Sequence, residues 1–227
     1  MQYSTPQLKQ AEQPRFSVPG SGVDFLVAGA RNEGRDELEM FIKQGFKKSF
    51  DATVTTFLPI LLGIKSQQLK AVVGVRGASQ PLFIEQYLKM PVEQNLQQFG
   101  VFTSRHKIAE LGNLYSQSRR YTLPLLMTVV MGLYLCDFSH LVFSGTEKVR
   151  MLLEVLKLDL TVMADANPNC LQGDVSQWGS YYQNKPKVLL LDINQAVTRA
   201  LLQPELETLF QVVKDNLPPL LAQMRAV

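Results

Sequence analysis

The sequence predicts an α/β (α+β) protein built on one mixed, mostly antiparallel sheet, with helices on both faces and a C-terminal helical extension. Three observations lead to this fold class. Short apolar runs of strand length alternate with segments of helical periodicity. Two such runs flank the polar turn 65–68, as the arms of an antiparallel hairpin do. Two later runs are separated by a long apolar helix, which is the connection that parallel neighbouring strands require.

The composition indicates a folded globular chain. Of the 227 residues, 46% are hydrophobic, which excludes a disordered protein. Two cysteines exclude a disulfide-rich scaffold, and we expect both as reduced thiols in the cytoplasm. The 23 Lys and Arg residues give a net charge of only +3 against the 20 Asp and Glu residues, so no nucleic-acid partner is expected.

The N-terminal part is predicted to hold a tail, a strand, a helix and a hairpin. Residues 1–22 contain no apolar run, so they predict a flexible tail and neither a signal peptide nor a membrane anchor. The helix carries acidic residues in its early turns and lysines in its late turns, which complements its dipole. Pro59 indicates a bulge or an edge in the first hairpin arm. The predicted bounds are 23–30 for the strand, 33–50 for the helix, and 53–64 with 69–75 for the hairpin.

The middle of the chain is predicted to continue the sheet. Residues 81–88 fit a third strand or an extended arm, and Pro91 fits the first turn of a short helix. Residues 108–115 fit a strand in which Gly112 indicates a bulge. The following segment, 119–137, is a helix that is apolar on nearly all sides, which predicts burial in the core. Its apolar run is shorter than the roughly 20 residues that a membrane span needs.

The C-terminal part is predicted to complete the sheet and to add the extension. A strand at 140–143 should run parallel to 108–115, and Thr146 can cap the next helix. Two further strands and two helices follow, at 159–163, 187–193, 194–202 and 205–217, the last stopped by Pro218 and Pro219. The predicted organisation is a tail (1–22), one domain (23–193) and a helical extension packed on that domain (194–227).

Several local sequences are specific enough to indicate a family. They are FIKQGFKKSFDA, GVRGASQPLFIEQYLKMPVEQ, IAELGNLYSQS, HLVFSGTEKVR and QWGSYYQNKPKVLLLDI. Together they resemble the bacterial thermostable hemolysin family. The order of strands and helices is similar to that of GNAT acyltransferases and of the related acyl-homoserine-lactone synthases. This resemblance implies a GNAT-like fold and, by analogy of fold, an acyl-transfer site.

The resemblance also implies a donor-binding segment between strand 108–115 and the next helix. Acetyl-CoA-using GNAT enzymes carry a glycine-rich turn there, whose backbone N–H groups hold the pyrophosphate. Residues 115–122 contain no glycine, although two arginines at the helix start can pair with a phosphate. This departure favours a large acyl-CoA or an acyl carrier protein as thioester cosubstrate, with no permanently bound cofactor. The candidate donor-binding residues are Leu114, Tyr115, Ser116, Arg119 and Arg120.

Acyl transfer to an amine or hydroxyl acceptor requires a base, an oxyanion donor and an acid for the leaving thiolate. Glu85 and Glu110 are the candidate bases, and an ordinary salt-bridged carboxylate is the alternative for each. Asn113 is either an oxyanion donor or an amide that caps the bulge. A bulge at Gly112 would bring Asn113 to the side of the sheet that holds Glu110. Tyr182 is either the acid or one of several aromatic residues that seal the end of the sheet.

Other kinds of site are not indicated. His106 and His140 have no partner at metal-ligand spacing, so no metal is predicted. The sequence contains no nucleotide-binding fingerprint and no GxSxG motif. The acyltransferase hypothesis predicts a slot between strands 108–115 and 140–143, with Glu85 or Glu110 facing it. Two alternatives stay open: a directly membrane-active hemolysin that inserts segment 123–135 or 205–217, and a non-catalytic module that binds a ligand or partner.

Overall fold

The structure is a computed structural model that describes residues 23–202, 214 and 217–224. The predicted tail 1–22 and most of the predicted helix 205–217 lie outside these residues. The strands are β1 (Asp24–Ala28), β2 (Ile60–Ser66), β3 (Gln68–Gly77), β4 (Ile108–Ser116), β5 (His140–Gly145), β6 (Leu160–Asp165) and β7 (Lys187–Asp192). The helices are α1 (Arg35–Phe50), α2 (Val92–Gln97), α3 (Arg119–Leu135), α4 (Glu147–Val155), α5 (Ile193–Leu201) and α6 (Leu217–Met224), with a short 3-10 helix at Phe83–Tyr87.

The seven strands of the described residues form one sheet in the order β1-β2-β3-β4-β5-β7-β6. Every neighbouring pair is antiparallel except β4 and β5, which are parallel. The predicted fold class is therefore confirmed, as are the β2–β3 hairpin and the parallel pair connected through α3.

The parallel ladder between β4 and β5 is short. It runs from the pair Ile108–His140 to the pair Leu111–Phe143 and then stops, although both strands continue. Beyond that point β4 pairs only with β3, and β5 pairs with β7. A bulge supports this divergence, because two residues of β4, Asn113 and Leu114, lie opposite the single residue Val73 of β3. The two central strands therefore part in the middle of the sheet, next to the predicted bulge position.

The sheet is covered on both faces. On one face, α3 packs on β2, β3 and β4 and is itself contacted by α5 and α6. On the other face, α1 packs on the same three strands, and the 3-10 helix contacts β5. Every residue of α3 from Thr122 to Leu133 is buried, which confirms the predicted core helix. Among the described helices, none has the length and apolar content that a bilayer crossing requires.

Two predicted elements are wrong in detail. Residues 81–88 contain the 3-10 helix Phe83–Tyr87 and no strand, because the Glu85 carboxylate accepts the Leu82 N–H and closes the turn. The first hairpin arm begins at Ile60, because the carbonyls of Leu58 and Pro59 accept hydrogen bonds from the buried Arg35 guanidinium instead of joining the sheet. Pro218 and Pro219 lie in the first turn of α6, where proline is tolerated, and the end that they were predicted to give helix 205–217 lies outside the described residues.

Candidate active site

An apolar cavity lies on the α3 face, beside the point where β4 and β5 part. Leu111 and Leu114 of β4, Phe143 of β5, Met127 of α3 and Leu153 of α4 are among its lining residues. Its enclosed free volume is about 40 Å³, and every lining side chain is hydrophobic. Such a cavity suits an alkyl chain, since it removes hydrocarbon from water and offers no hydrogen-bonding group.

Glu110 lies on the opposite face of the sheet. Its neighbour along β4, Leu111, faces the cavity, and successive side chains of a strand point to opposite faces. The Glu110 side chain is only 2% exposed, and Arg76 Nε and Nη2 both lie 2.6 Å from Oε2. The N–H groups of Phe83 and Ile84 donate to the same carboxylate at 3.1 and 2.8 Å. Burial raises the pKa of Glu110, although Arg76 and the two N–H groups oppose the shift.

Glu85 is held in a separate ion-pair network. Burial disfavours its charged form, but hydrogen bonds from Arg105 and from the N–H groups of Val92 and Leu82 outweigh burial, so its pKa is lowered. Arg105 binds it through both Nη atoms, at 2.7 and 2.9 Å, and also contacts Glu93 at 2.7 Å. These contacts fasten the 3-10 helix to α2 and to the start of β4. The arrangement is typical of a structural ion pair.

Asn113 holds the bulge in β4. Its φ is +52°, in the left-handed region where Asn is one of the few tolerated side chains. Its Oδ1 accepts the Leu58 N–H at 2.9 Å, and its Nδ2 donates to the Thr56 carbonyl at 3.1 Å. Oδ1 also lies 3.0 Å from the place that a Cβ of Gly74 would occupy, which is on the Glu110 side of the sheet. The bulge thus puts both polar side chains on one face, but the Asn113 amide is occupied by the segment before β2.

Tyr182 belongs to an aromatic cluster that covers this face. Trp178 and Tyr181 lie against its ring with centroids 5.9 and 5.2 Å away, and Phe83 packs on Trp178 at 5.6 Å. The Tyr182 hydroxyl lies 2.5 Å from the Tyr87 hydroxyl. Burial raises the pKa of Tyr182 to about 12, so the phenol is protonated at neutral pH.

The loop that carries this cluster is anchored to the C-terminal end of α1. Gly179 has a φ of +51°, and a Cβ there would lie 2.1 Å from the Phe50 carbonyl oxygen. That carbonyl accepts the Ser180 N–H at 2.7 Å, and Thr53 N–H donates to the Gln177 carbonyl at 2.6 Å. Burial raises the pKa of the Tyr181 phenol, and Ser144, on β5 just past the end of the parallel ladder, opposes this shift. The aromatic cluster is therefore fixed above the parting of the strands.

The predicted donor-binding residues occupy different environments. Leu114 lines the apolar cavity, whereas the Tyr115 ring packs on Phe41 and on the face of α1 at Gly45. Ser116 Oγ donates to the Ser118 carbonyl. Arg119 and Arg120 are exposed in the first turn of α3, near the carboxyl-terminal end of β4, which is one of the two strands that part.

The fold and the sequence both point to known proteins. The sequence profile described as thermostable hemolysin matches residues 28–197. The chain belongs to the thermostable hemolysin family. Comparison with curated proteins finds no match.

Solved structures share the fold of this hemolysin-family chain. The acyl-homoserine-lactone synthase LasI has a TM-score of 0.54 at 14% identity, covering 77% of this chain and 92% of LasI. FeeM, an N-acyl amino acid synthase from uncultured soil microbes, has a TM-score of 0.55 at 12% identity, covering 78% and 94%. The CoA-dependent acyl-homoserine-lactone synthase BjaI, solved with SAM and isopentyl-CoA, has a TM-score of 0.53 at 12% identity, covering 86% and 90%. The GNAT-like, acyltransferase-type fold that the resemblance implies is confirmed.

Three polar residues of this site were missed in the sequence. Arg76 directly follows the apolar run 71–75 of β3, and this charge at the end of an apolar run was the available signal. Tyr87 and Ser144 carry no local signal, because their partners are distant along the chain. Within the described ranges, no group of three or more His, Cys, Asp or Glu side chains is placed to hold a metal ion.

Proposed function

We propose that this protein moves an acyl group from an acyl-CoA or acyl carrier protein thioester to an amine or hydroxyl acceptor. One observation carries the proposal. Where the β4–β5 ladder stops, an apolar cavity lies on one face of the sheet, and Glu110 with the aromatic cluster lies on the other. A thioester carbonyl placed in the gap would have its alkyl chain in the cavity and its reacting carbon open to an acceptor from the opposite face.

Binding of the acyl chain follows from the cavity. Each methylene transferred from water to such a lining contributes about 0.8 kcal/mol, so a medium or long chain gains far more there than an acetyl group. The phosphates of the donor would pair with Arg119 and Arg120, which are exposed near the carboxyl-terminal end of β4. LasI, FeeM and BjaI are all described as synthases of N-acylated small molecules or acyl-homoserine lactones, and this supports the same class of donor here.

Of the two candidate bases, we propose Glu110. Burial raises its pKa, which makes it a stronger proton acceptor, whereas the pKa of Glu85 is lowered, although an arginine and two N–H groups hold each of the two carboxylates. The acceptor nitrogen or oxygen attacks the thioester carbon and loses its proton to Glu110. The C–S bond then breaks, and the departing sulfur takes a proton from the Tyr182 hydroxyl. Both groups exchange protons with water before the next turnover, and Asn113 serves to hold the bulge.

The cavity provides the sharpest test. Leu153 and Met151 lie two residues apart on α4, but Leu153 lines the cavity, whereas Met151 is 51% exposed. The Leu153→Trp side chain would occupy the cavity that the proposal assigns to the acyl chain of the donor. Met151→Trp is the matched control. With decanoyl-CoA as the probe, calorimetry should show binding to the native protein and the control, and at least about tenfold weaker binding to Leu153→Trp.

Turnover is measured as release of free CoA thiol from decanoyl-CoA in the presence of amino acids and polyamines. Mass spectrometry identifies the acylated product. The proposal is overturned if neither decanoyl-CoA nor decanoyl acyl carrier protein binds, or if the two tryptophan variants bind the donor equally well. Binding without any thiol release would favour a non-catalytic ligand-binding module.

A further inference from the structure

The hydroxyl groups of Tyr87 and Tyr182 form a pair. Tyr182 is one of the predicted site residues, and Tyr87 is not. Their oxygens are 2.5 Å apart, a short hydrogen bond between two phenols. Tyr87 stands on the 3-10 helix and Tyr182 on the loop before β7, so the bond joins the two segments that cover Glu110 and Ser144. The distance alone leaves open which tyrosine donates.

Burial decides the direction of this hydrogen bond. Tyr87 is 7% exposed, and of the described residues Tyr182 is the hydrogen-bond partner found for its hydroxyl. The hydrogen bonds found for the nearby Glu110 come from Arg76, Phe83 and Ile84, and none of them comes from Tyr87. If Tyr182 donated, the Tyr87 proton would be left buried without an acceptor, which is unfavourable. If Tyr87 donates, its proton is satisfied, and the proton of the half-buried Tyr182 is free to point toward the reacting atoms.

We propose that Tyr87 is a positioning residue: its hydroxyl donates to Tyr182 Oη, aims the Tyr182 proton at the leaving sulfur and stabilises the phenolate that forms when this proton is given up. The inference rests on the proposed function, in which Tyr182 is the acid. When the C–S bond breaks, the electron pair goes to sulfur, the proton moves from Tyr182 to sulfur, and the negative charge stays on Tyr182 Oη. The Tyr87 hydroxyl then donates to an anion, which is the stronger form of the same hydrogen bond.

Burial and the direction of donation both act on the pKa of the two phenols. Burial raises the pKa of Tyr182, and the hydrogen bond from Tyr87 lowers it. Burial also raises the pKa of Tyr87, and the bond to Tyr182 adds to that increase, as expected for the donor of the pair. Removing the Tyr87 hydroxyl should therefore make Tyr182 harder to ionise.

The test replaces Tyr182 by a fluorinated tyrosine of lower intrinsic pKa, so that this phenol titrates while the protein is folded. Fluorine NMR then follows position 182 alone among the seven tyrosines of the chain. We expect the label to titrate at higher pH in Tyr87→Phe than in the protein with native Tyr87. The same label at the exposed Tyr134 is the control, and its fluorine signal should not differ between the two backgrounds. Equal or lower titration of label 182 in Tyr87→Phe overturns the inference.

Turnover of decanoyl-CoA supplies the second measurement. Tyr87→Phe keeps the ring contact with Phe83, and we expect kcat to fall about tenfold with KM for the donor unchanged, while Tyr182→Phe falls further. Unchanged kcat in Tyr87→Phe beside a large loss in Tyr182→Phe overturns the positioning role even if the titration shifts. If no donor is turned over, the proposed function has failed, and the titration still decides the direction of the hydrogen bond.

Discussion

At the scale of single residues, Glu85 and Glu110 show how one residue type takes two roles. Each is paired with an arginine and accepts two backbone N–H groups. Burial dominates at Glu110, so its pKa is raised. At Glu85 the Arg105 fork and the N–H groups prevail, so its pKa is lowered. The folded protein therefore favours the charged form of Glu85 and makes Glu110 easier to protonate.

This contrast predicts different losses for the two Gln substitutions. Glu110→Gln should reduce turnover by about a hundredfold or more, because the amide cannot accept the acceptor's proton. Glu85→Gln should retain turnover but lower the free energy of unfolding by on the order of 1–2 kcal/mol, because it breaks the charged fork with Arg105. Urea unfolding and thiol-release kinetics on both variants check this. Full activity in Glu110→Gln would remove that carboxylate from the mechanism.

The same shifts fix the pH dependence of stability. A lowered pKa means that the Glu85 contribution is complete above its ordinary value of 4.5 and is lost as the pH falls through the lower, folded value. A raised pKa means that Glu110 costs stability as the pH rises from 4.5 through its folded value. In acid, the unfolding free energies of native protein and Glu85→Gln should therefore converge.

At the scale of elements, the contact between α1 and β4 limits what the site can tolerate. Gly45 has no conformational need for glycine, since its φ lies outside the left-handed region, yet it faces the Tyr115 ring directly. A Cβ at Gly45 would lie 2.1 Å from a ring carbon of Tyr115. The absence of a side chain lets α1 approach β4, and this approach brings the C-terminal end of α1 to the loop that carries Tyr182.

Gly45→Ala is therefore predicted to destabilise the protein although alanine favours helices. The clash should cost about 1–3 kcal/mol, which exceeds the roughly 1 kcal/mol gained in helix propensity. Ser49→Ala, on the exposed side of the same helix, is the control and should be neutral or slightly stabilising. Thermal unfolding followed by circular dichroism measures both. A Gly45→Ala protein as stable as the native one would show that the Tyr115 ring moves aside freely.

The sequence predicts an element well where interactions between residues that are close in the chain determine its structure. The charge order of α1, the apolar run of α3 and the crossover between β4 and β5 each have one dominant cause in nearby sequence, and the structure has all three. The 3-10 helix was predicted as a strand or an extended arm because its stability depends on Arg105, which is 20 residues away from Glu85. A pattern of apolar spacing carries no information on such a partner.

At the scale of the whole molecule, the candidate site is assembled from distant segments. The Tyr87–Tyr182 bond spans 95 residues, and the cavity combines β4, β5, α3, α4 and α5. Sequence patterns predict the individual strands and helices, but they do not predict which residues of distant segments meet on each face of the sheet. The gap between the parallel strands was predicted from the acyltransferase hypothesis, and the bulge beside it was predicted from Gly112. The cavity that fills one side of this gap depends on how α4 and α5 pack, which only the folded molecule shows.

The packing of α3 also bears on how a member of a hemolysin family could act on membranes. Its apolar residues, such as Leu125, Val129 and Leu133, are almost completely buried against the sheet, α5 and α6. Inserting α3 into a bilayer would first expose the main hydrophobic core, and the free energy of unfolding opposes this step. A direct pore built from α3 is therefore disfavoured in the native fold.

We accordingly predict that the purified native protein does not release dye from vesicles of phosphatidylcholine and phosphatidylglycerol at neutral pH. The control is the same protein unfolded in urea and diluted into the vesicles, because α3 is then free to contact lipid. Release by the unfolded sample alone fits the burial of α3. Release by the native protein, at concentrations where circular dichroism shows it folded, would show that another part of the chain attacks the membrane and would favour direct lysis over acyl transfer.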